Sequence, residues 1–519
     1  MKRDPGRLAE PLYDLLVVGG GIHGVCIARD AALRGLRVAL VERADFGNGT
    51  SHNSFKLIHG GLRYLQHLDF RRVRESLRER RFWLRLAPHL VRPLRFVVPT
   101  YGHGTRGPEA LRLALELHDL IGWDRNRSMA REQRVPSGEV ISRKRCLELI
   151  PGVRAQGLTG GAIWYDGQLL DADRVLLDCL LDAVAAGADV ANYVAVEEFQ
   201  GGDAQVNGVR ARDVLDGARL EVRAKITVLA CGPWTGSLLR KLHASPEPPA
   251  ALVKGMNLVT SPVLGNYAVG VVSGQTSDAV IGRTSRLFFI TPWYDRAVIG
   301  TSHVPYRGDP DDCRFSREDV ETFLAEINAV YPPAGLRLDD VRYCYGGLTP
   351  AEGDSAGGEP SRARRAQILD HEATHGVAGL VSVTGIKYTT ARLLAERTVD
   401  LALKKLGRKP VPSRAGQAPL AATRGYQNRE ALERAVASDL GGTAEADARD
   451  MLVRYGSAYR HLLEAGRRAG EDLSSYVLRC CCLHGAREEM AVRLGDLIFL
   501  RTNLAARGLL TEERLQSCA

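Results

Sequence analysis

One short segment near the start of the chain limits the possible folds most strongly. The residues YDLLVVGGGIHGVCIARDAALRGLRVALVE, 13–42, predict a buried strand, a glycine-rich turn, a helix from Ile22 to Leu33 and a second strand ending at Glu42. Glycines here permit the tight turn, the close approach of a pyrophosphate to the helix N-terminus, and the packing of helix on strand. They are Gly19, Gly21 and Gly24. Together with Glu42, whose carboxylate can accept hydrogen bonds from ribose hydroxyls, these glycines predict a dinucleotide-binding α/β unit. The motif does not distinguish NAD from FAD.

The size and composition of the chain are those of a globular protein with more than one domain. Its 519 residues are too many for one simple core, and 45% hydrophobic with 25% charged residues excludes a disordered chain. No apolar run approaches the roughly 20 residues that span a bilayer, and the basic start of the chain does not resemble a cleavable signal. The ten cysteines have neither zinc-ligand nor disulfide spacing. We therefore predict no metal site, and a reducing compartment.

The net charge of +9 is densest in FRRVRESLRERRFWLRLAPHLVRPLRF, residues 70–96. Val73, Leu77 and Leu84 lie near helical spacing, so the segment is predicted to be one basic amphipathic helix. Such a helix either docks on the protein's own core with a solvated arginine face or binds an anionic lipid surface. Nothing in the sequence resembles a helix-turn-helix or a basic groove interleaved with aromatic residues, so nucleic acid is not a predicted partner.

Polar residues after the second strand indicate which dinucleotide is bound. An NAD enzyme would continue with further strands of its sheet, whereas here TSHNS, 50–54, and KLIHGGLRYL, 56–65, follow directly. Hydroxyl and N–H groups of the first segment can bind a pyrophosphate, and the pair Gly60–Gly61 lets backbone lie against a flat ring. The ionisable groups around this pair favour a functional site over an ordinary polar loop, and the pattern favours a flavin.

Several segments of the chain, in the expected order, resemble the FAD-dependent glycerol-3-phosphate dehydrogenase family, within the flavin amine and hydroxy-acid oxidoreductases. They are VVGGGIHG, TSHNSFKLIHGGLRYLQH, LAPHLVRPLRFVVP, CGPW, PWYDRAVIGTSHVPYRGDP and GIKYTTARLLAE. A later segment, AREEMAVRLGDLIFLRTNLA, resembles the C-terminal helical domain of that family. The likeness covers nearly the whole chain, and KLIHGGLRYL is its most specific part.

The resemblance implies an α/β fold with a Rossmann-like FAD-binding domain, an interleaved antiparallel-sheet substrate domain and a C-terminal helical domain. The FAD-binding domain is expected to be discontinuous, over residues 12–100, 155–260 and 340–408, and the substrate domain to occupy 100–155 and 260–340. A linker rich in Pro, Gly and Ala is predicted over 409–425, followed by the helical domain over 426–519.

The same resemblance implies that FAD is the cofactor and assigns residues to it. Backbone near Ala195 would flank the adenine, Gly232 would lie near the pyrophosphate, and the turn Gly385–Lys387 would face the flavin ring. A helix beginning near Thr389 would direct its positive end at the pyrimidine C2 oxygen, which stabilises an anionic reduced flavin. The predicted FAD-binding residues are Gly19, Gly21, Gly24, Glu42, Thr50, Ser51, Ser54, Lys56, Leu57, Ala195, Gly232, Trp234, Gly385, Lys387 and Thr389.

The implied reaction is hydride transfer from a secondary alcohol to flavin N5. In the family, glycerol 3-phosphate becomes dihydroxyacetone phosphate and the electrons pass to a quinone or to oxygen. His59 is the predicted base, because imidazole titrates near neutral pH. Arg63 can bind a phosphate or carboxylate through two hydrogen bonds, Lys387 can polarise the carbinol oxygen, and Tyr64 can donate a hydrogen bond.

Two further positions of the predicted catalytic set depart from the family pattern. Where the family reads roughly Tyr-Ser-Gly-Val-Arg-Pro, this chain has YGGLTP, so Thr349 replaces an arginine that holds the anionic end of the substrate. His303 replaces an aspartate. Losing such an arginine from a desolvated site costs on the order of 2–5 kcal/mol. Candidate compensating residues are Arg283, Arg286, Arg362, Arg364 and Arg365.

Three functions therefore stay open. They are a glycerol-3-phosphate dehydrogenase, a flavoenzyme for another phosphorylated or carboxylated hydroxy compound, and a degenerate flavin-binding scaffold. The expected partners are a small hydroxy substrate, a quinone or oxygen as acceptor, and an anionic membrane surface, and a homodimer is compatible with the sequence. The expected location is cytoplasmic, or peripheral on the inner face of the cytoplasmic membrane.

Overall fold

The computed structural model describes residues 1–104, 107–202, 204–242, 251–272, 287–352, 361–363, 365–442 and 446–518. The described residues form two β-sheets, helices that cover the first sheet, and a helical C-terminal region. The chain passes back and forth between the two sheets, as the resemblance implied. The predicted fold class is confirmed.

The strands are numbered in chain order. They are β1 Leu12–Val18, β2 Val38–Val41, β3 Leu57–Ile58, β4 Val91–Tyr101, β5 Glu139–Ser142, β6 Leu158–Leu169, β7 Asp189–Ala191, β8 Val194–Gly202, β9 Gln205–Asp213, β10 Arg219–Leu229, β11 Leu252–Thr260, β12 Ala268–Val272, β13 Leu287–Trp293, β14 Arg296–Tyr306, β15 Val341–Glu352, β16 Ser361–Arg362, β17 Gln367–Asp370 and β18 Leu380–Thr384.

The helices follow the same numbering. They are α1 Ile22–Leu33, α2 Phe70–Leu86, α3 Pro108–Ile121, α4 Arg143–Leu149, α5 Ala172–Ala185, α6 Thr235–Leu239, α7 Arg317–Val330, α8 His371–His375, α9 Ala391–Lys405, α10 Arg429–Asp439, α11 Ala446–Val453, α12 Tyr459–Leu463, α13 Leu473–Glu488 and α14 Glu512–Cys518. The segment Asp496–Arg501 is a short π-helix. None of the described helices has both the length and the apolar character needed to cross a bilayer.

The first sheet has the glycine-rich unit at its centre. Its strand order is β17-β18-β10-β1-β2-β7, with β9 and β8 continuing from β10, and the pairs joining β18, β10, β1, β2 and β7 are parallel. Leu15 and Val17 of β1 enter one core, whereas Leu16 and Val18 enter the core on the other face. Parallel strands are stable when both faces are covered in this way. Their carboxyl ends meet at one edge, where Gly19, Glu42, Gly232 and Gly385 follow four different strands.

The second sheet lies in the order β16-β15-β11-β14-β13-β12-β4-β6-β3, with β5 on β6, and its pairs are antiparallel except β4 with β12. Sheet membership does not follow the predicted domain boundaries. Residues 91–100, 158–169, 252–260 and 341–352 were assigned to the FAD-binding segments, yet they form strands of this second sheet. Which distant strands pair depends on the tertiary structure, and the alternation of apolar and polar residues along the sequence does not reveal it.

The single basic helix predicted over 70–96 is wrong beyond Leu86. Helix α2 ends there, and β4 begins at Val91 because the alternating residues that follow pair with β6. Val73, Leu77 and Leu84 are buried, so α2 docks on the protein. Several of its arginines make ion pairs, including Arg80 with Asp166 and both Arg74 and Arg81 with Asp124.

The segment 409–425, predicted as a linker, is irregular apart from one short 3-10 turn, and it packs along α1. The Arg29 guanidinium donates to the carbonyl oxygens of Ala415 and Ala418 at 2.6 and 3.0 Å, and Ser413 donates to Asp30. Main-chain carbonyls of the segment thus bind the buried Arg29 side chain, which holds the segment against α1.

The helices after this segment form their own hydrophobic cluster and contact α5 and the residues after β2 through buried ion pairs. Arg501 contacts Asp45 at 2.7 Å, and Glu489 pairs with Arg174 of α5. All four side chains are nearly inaccessible to solvent. Breaking a buried pair leaves an uncompensated charge, so these contacts fix how the helical region sits.

Candidate active site

Gly19 and Gly24 of the glycine-rich turn make close contacts that a side chain would not allow. Gly19 has φ of +109°, and a Cβ atom there would lie 2.6 Å from the carbonyl oxygen of Ala230. A Cβ at Gly24 would overlap the carbonyl oxygen of Gly19. Gly21 precedes α1, and the Ile22 N–H donates to Ser51 Oγ at 2.9 Å. The turn therefore packs against the residue that follows β10, and the N-terminus of α1 faces the segment after β2.

Glu42 is held against this turn by backbone hydrogen bonds. Its carboxylate accepts from the Gly20 N–H at 2.6 Å and from the Ala44 N–H at 2.9 Å. Burial raises the pKa of Glu42, although these bonds favour its ionised form. Its carbonyl oxygen accepts from Val194, the residue before Ala195. The predicted ribose and adenine contacts are therefore adjacent in space.

Three other residues of the predicted FAD set lie around the same edge. Gly232 has φ of +56° and lies three residues after the end of β10. Trp234 donates through Nε1 to Asp311 at 2.8 Å, and the Arg43 guanidinium lies 4.5 Å over its ring. Thr50 donates its hydroxyl to the carbonyl oxygen of Leu348 at 2.8 Å, which ties the segment after β2 to β15 of the second sheet.

Residues 54–57 continue that segment between the two sheets. Ser54 Oγ is buried and has no hydrogen-bond partner among the described residues. The Lys56 ammonium lies 5.1 and 5.3 Å from the ring centres of Trp293 and Tyr345, and burial lowers its pKa. Leu57, at the start of β3, packs against the aromatic cluster of β4 and β6. Lys56 is thus directed into the protein interior.

Contacts and backbone conformation within the protein require glycine at positions 60 and 61. A Cβ at Gly60 would lie 2.5 Å from Arg80 Nη1, and Gly61 has φ of +81°. The Gly60 N–H donates to Asp166, which also pairs with Arg80 at 2.8 Å. His118 Nε2 donates to the Gly60 carbonyl oxygen at 3.3 Å. Sequence analysis missed Arg80, Asp166 and His118, because they come from three separate elements.

The structure brings five of the predicted site residues together at this turn. The His59 N–H donates to Thr389 Oγ1 at 3.2 Å, and the rings of His59 and Tyr64 are 6.1 Å apart. The Lys387 ammonium lies 3.9 Å from the centre of the Tyr64 ring. Burial, and then repulsion by Arg63, lowers the pKa of Lys387 to about 7. The helix predicted near Thr389 begins at Ala391.

His23, which sequence analysis did not single out, connects the two glycine turns. A Cβ at Gly385 would overlap the His23 ring, and the imidazole hydrogen-bonds the Lys387 backbone. Its Nε2 is buried and unpartnered among the described residues, and burial lowers its pKa to about 4. Its place between Gly21 and Gly24 of the glycine motif was the available signal.

The two residues that depart from the family pattern, His303 and Thr349, lie on the strands that flank β11. His303 is exposed and stands opposite Gly255, while Thr349 stands opposite Val253, two residues away along β11. Thr349 Oγ1 is 3.5 Å from the Val253 carbonyl oxygen. Gly347, level with His303, packs against Thr50. The strand bearing Thr349 therefore touches the predicted cofactor segment.

A pocket of about 420 Å³ opens beside Lys387. Arg365 lines it, as do Arg72 and Asp69 at the start of α2. Of the other arginines considered as replacements for the missing cation, Arg283, Arg286 and Arg364 fall outside the described residues, as does the side chain of Arg362. Arg365 is thus the predicted compensating residue whose position can be stated.

Comparisons with known proteins identify the family. A model of the FAD dependent oxidoreductase family matches residues 14–401. A glycerol-3-phosphate dehydrogenase of Synechocystis sp. is 36% identical over 427 residues, which are 80% of this chain and 74% of that protein. The chain belongs to the glycerol-3-phosphate dehydrogenase family of FAD dependent oxidoreductases. The predicted family, cofactor and enzyme class are confirmed.

Other members of the glycerol-3-phosphate dehydrogenase family extend the comparison. The human mitochondrial glycerol-3-phosphate dehydrogenase is 35% identical over 78% of this chain, which spans about half of that protein's length (54%). The structure of the Bacillus halodurans glycerol-3-phosphate dehydrogenase complexed with FAD superposes with a TM-score of 0.73 at 26% identity. That match covers 99% of this chain and 94% of the other. The C-terminal helical region is thus part of the shared fold.

Proposed function

We propose that this flavoprotein oxidises glycerol 3-phosphate to dihydroxyacetone phosphate and passes the electrons to a quinone. The observation that carries the proposal is the cluster of His59, Arg63, Tyr64 and Lys387 beside a pocket that Arg365 also lines. A proton acceptor next to several cations suits an alcohol that carries an anionic group. The relatives named glycerol-3-phosphate dehydrogenase support this choice of alcohol.

The residues at the edge of the first sheet fit FAD. Gly19, Gly21 and Gly24 leave a backbone surface that side chains would fill, and Ser54 Oγ is a buried polar atom in need of a partner. Glu42 would hold the adenosine ribose. Bound FAD supplies a two-electron acceptor. The remaining predicted FAD residues are Thr50, Ser51, Lys56, Leu57, Ala195, Gly232, Trp234, Gly385, Lys387 and Thr389. The side chains of Lys56 and Leu57 pack in the protein interior, so the positions of the other eight support the assignment.

The chain's own residues then handle the substrate's proton and charge. His59 would accept the hydroxyl proton through a ring nitrogen, with its backbone held by Thr389. Arg63 and Lys387 would bind the anionic group, and Lys387 is protonated below its pKa of about 7. Tyr64, which contacts both His59 and Lys387, would donate a hydrogen bond to the substrate. Thr349 and His303 are not among the described residues that line the pocket beside Lys387, and would contact the substrate from the strands that flank β11.

Anaerobic titration of the purified yellow protein with glycerol 3-phosphate tests the substrate. We expect full bleaching of the flavin absorbance, with glycerol as an unreactive control that lacks the anion. Bleaching only by other phosphorylated or carboxylated hydroxy compounds would replace the substrate but keep the flavoenzyme. A colourless protein, or a yellow one that none of these compounds reduces, would support the scaffold alternative. Turnover with a soluble quinone, compared with oxygen consumption, identifies the acceptor.

The proposed membrane contact has a different structural basis from the predicted basic helix. Helix α3 and the residues after it expose Leu113, Leu120 and Trp123, each about two-thirds or more accessible. Arg112 is exposed on α3 next to Leu113, and Arg74 and Arg81 of α2 pair with Asp124, the residue after Trp123. Apolar side chains beside arginines suit an anionic bilayer surface. Co-sedimentation with anionic vesicles should fall at high salt and in Trp123→Ser, and unchanged sedimentation in both conditions would reject the contact.

A further inference from the structure

The His23 ring lies against the turn that carries Lys387. A Cβ atom at Gly385 would overlap Nε2 and Cε1 of this ring and lie 2.5 Å from its Cδ2, so the end of the imidazole rests on the Gly385 backbone. Gly385 does not have a positive φ, so its own conformation does not call for glycine. The three atoms nearest to such a Cβ all belong to His23, and the contact with this ring is what excludes a side chain there.

A hydrogen bond adds to this contact. The imidazole of His23 hydrogen-bonds the backbone of Lys387, two residues after Gly385. Burial lowers the pKa of His23 to about 4, so the ring is neutral near pH 7 and adds no positive charge to a turn that already carries a lysine. His23 therefore contacts the turn through its shape and through one hydrogen bond.

Helix α1 gives His23 a fixed position. His23 is the second residue of this helix, between Gly21 and Gly24. The N–H of Ile22, the residue before it, donates to Ser51 Oγ at 2.9 Å. Most of α1 is buried in a core that it shares with α5 and α9. Because such cores are closely packed, the ring cannot follow the turn when the turn moves.

The position of the turn determines where the Lys387 ammonium lies. On one side His23 packs on the turn, and on the other side Tyr388 is buried and donates its hydroxyl to the carbonyl oxygen of the first residue of α5 at 2.8 Å. From a backbone held on both sides, the Lys387 side chain reaches the face of the Tyr64 ring, 3.9 Å from its centre. Displacing a group of the site by about 1 Å can cost about 100-fold in rate, so this support bears on turnover.

We propose that His23 is a positioning residue for the reaction, whose ring places the Lys387 ammonium where it meets the anionic group of the substrate. The effect on turnover rests on the proposed function, in which Lys387 binds that group, whereas the contact of His23 with Gly385 does not. The glycine motif then serves both sides of the site. Its glycines face the cofactor, and the residue between Gly21 and Gly24 orders the substrate side.

A double-mutant cycle on the flavin-containing full chain tests the contact. Gly385→Ala alone should lower kcat/KM about 10- to 100-fold, because the turn must shift to admit the Cβ atom. In a His23→Ala background the same substitution should change kcat/KM by less than about threefold, since the overlapping ring is gone. The loss of melting temperature, which needs no substrate, should shrink in the same way. Gly202→Ala, with nothing within 4 Å of its Cβ, is the control for both backgrounds.

Variants of His23 test the positioning of Lys387. At saturating FAD, His23→Ala should lower kcat/KM for glycerol 3-phosphate about 10- to 100-fold. With sulfate as probe anion, followed by the flavin absorbance, the pH at which affinity falls should move upward from about 7, because a displaced ammonium regains water. His23→Gln and His23→Asn, whose amides can bond the same backbone, should restore part of both properties. The charged residues around Lys387 stay unchanged in these variants, and they are Arg63, Asp69, Arg71, Arg72, Glu75, Arg365 and Arg397.

The outcomes separate this proposal from the proposed function. Equal losses from Gly385→Ala in both backgrounds, or a His23→Ala protein with wild-type kcat/KM and sulfate profile, would overturn the proposal. If glycerol 3-phosphate fails to reduce the wild-type flavin while the sulfate profile still shifts in His23→Ala, the substrate is wrong and the positioning role stands. Should His23→Ala fail to fold, His23→Gln is compared with His23→Phe, which keeps a ring but no hydrogen bond. We expect higher activity in the glutamine variant, and equal activity would contradict the proposal.

Discussion

The ammonium of Lys387 lies 3.9 Å from the centre of the Tyr64 ring, in a position where it is protonated only below about pH 7. Burial removes water from around the Lys387 ammonium, and the Arg63 guanidinium repels it, so both lower the pKa of Lys387. The aromatic face stabilises the ammonium in part, but does not restore its ordinary pKa. An anion that enters the pocket would favour the protonated form. We therefore expect binding of an anion at this site to be accompanied by uptake of a proton at Lys387.

The affinity for an anion should therefore depend on pH through Lys387. Sulfate is a suitable probe because it stays doubly charged across the range. We expect its affinity to be highest below pH 7 and to fall as pH rises through the pKa of about 7, where Lys387 loses its proton. Lys387→Met should bind sulfate weakly, with this pH dependence lost. Lys405→Met, which removes a lysine paired with Asp370, is the control and should retain the wild-type profile.

Gly60→Ala should damage both stability and activity. The added Cβ would lie 2.5 Å from Arg80 Nη1, so the Arg80–Asp166 pair or the turn carrying His59 must move. Overpacking of this kind costs about 1–3 kcal/mol, and thermal unfolding together with kcat measures both effects. Gly202→Ala is the control, because nothing lies within 4 Å of a Cβ there. A Gly60→Ala protein with wild-type melting temperature and kcat would contradict the steric account.

Thr349→Arg should shift the preference of the enzyme toward glycerol 3-phosphate. A guanidinium on β15 would add a cation where the family carries one, and we expect KM for glycerol 3-phosphate to fall about tenfold. Thr349→Val removes only the hydroxyl, which makes a long 3.5 Å contact with the Val253 carbonyl oxygen, and should change KM little. A rise in KM in the arginine variant would show that the pocket has no room for a second cationic group.

His118 should make the chain less stable in acid. Its buried ring donates to Gly60, and burial, with repulsion by Arg80, lowers its pKa to about 3. In the unfolded chain this imidazole takes up a proton near pH 6.5, whereas in the folded chain it stays neutral until about pH 3. The free energy of unfolding therefore falls as pH drops from 6.5 toward 3, by up to about 1.4 kcal/mol per pH unit. The difference in melting temperature between wild type and His118→Gln should therefore narrow on acidification. His67→Gln, at an exposed site, should show no such trend, and a constant difference for His118→Gln would refute the assignment.

Local signals were sufficient to predict that the chain binds FAD and to propose residues for the cofactor end of the site. The glycines at 19, 21 and 24 and the acid at 42 lie within one strand-turn-helix-strand unit, and each contact they make there is short-range. The KLIHGGLRYL segment pointed to His59, Arg63 and Tyr64 for the same reason. By contrast, the end of α2 at Leu86 was missed, because the following residues become a strand only through pairing with β6.

The sequence by itself determined the dinucleotide-binding unit, the flavoprotein family and the residues around His59, since these depend on motifs whose parts are neighbours along the chain. Only the tertiary structure decided what surrounds them. Arg80 and Asp166 explain why position 60 must be glycine, and the Tyr64 ring joins Arg72 to Lys387, more than three hundred residues away. Such partners are determined by burial and by charge pairing between residues far apart in the sequence. Both depend on which strands pair in the folded chain, so the sequence alone does not reveal them.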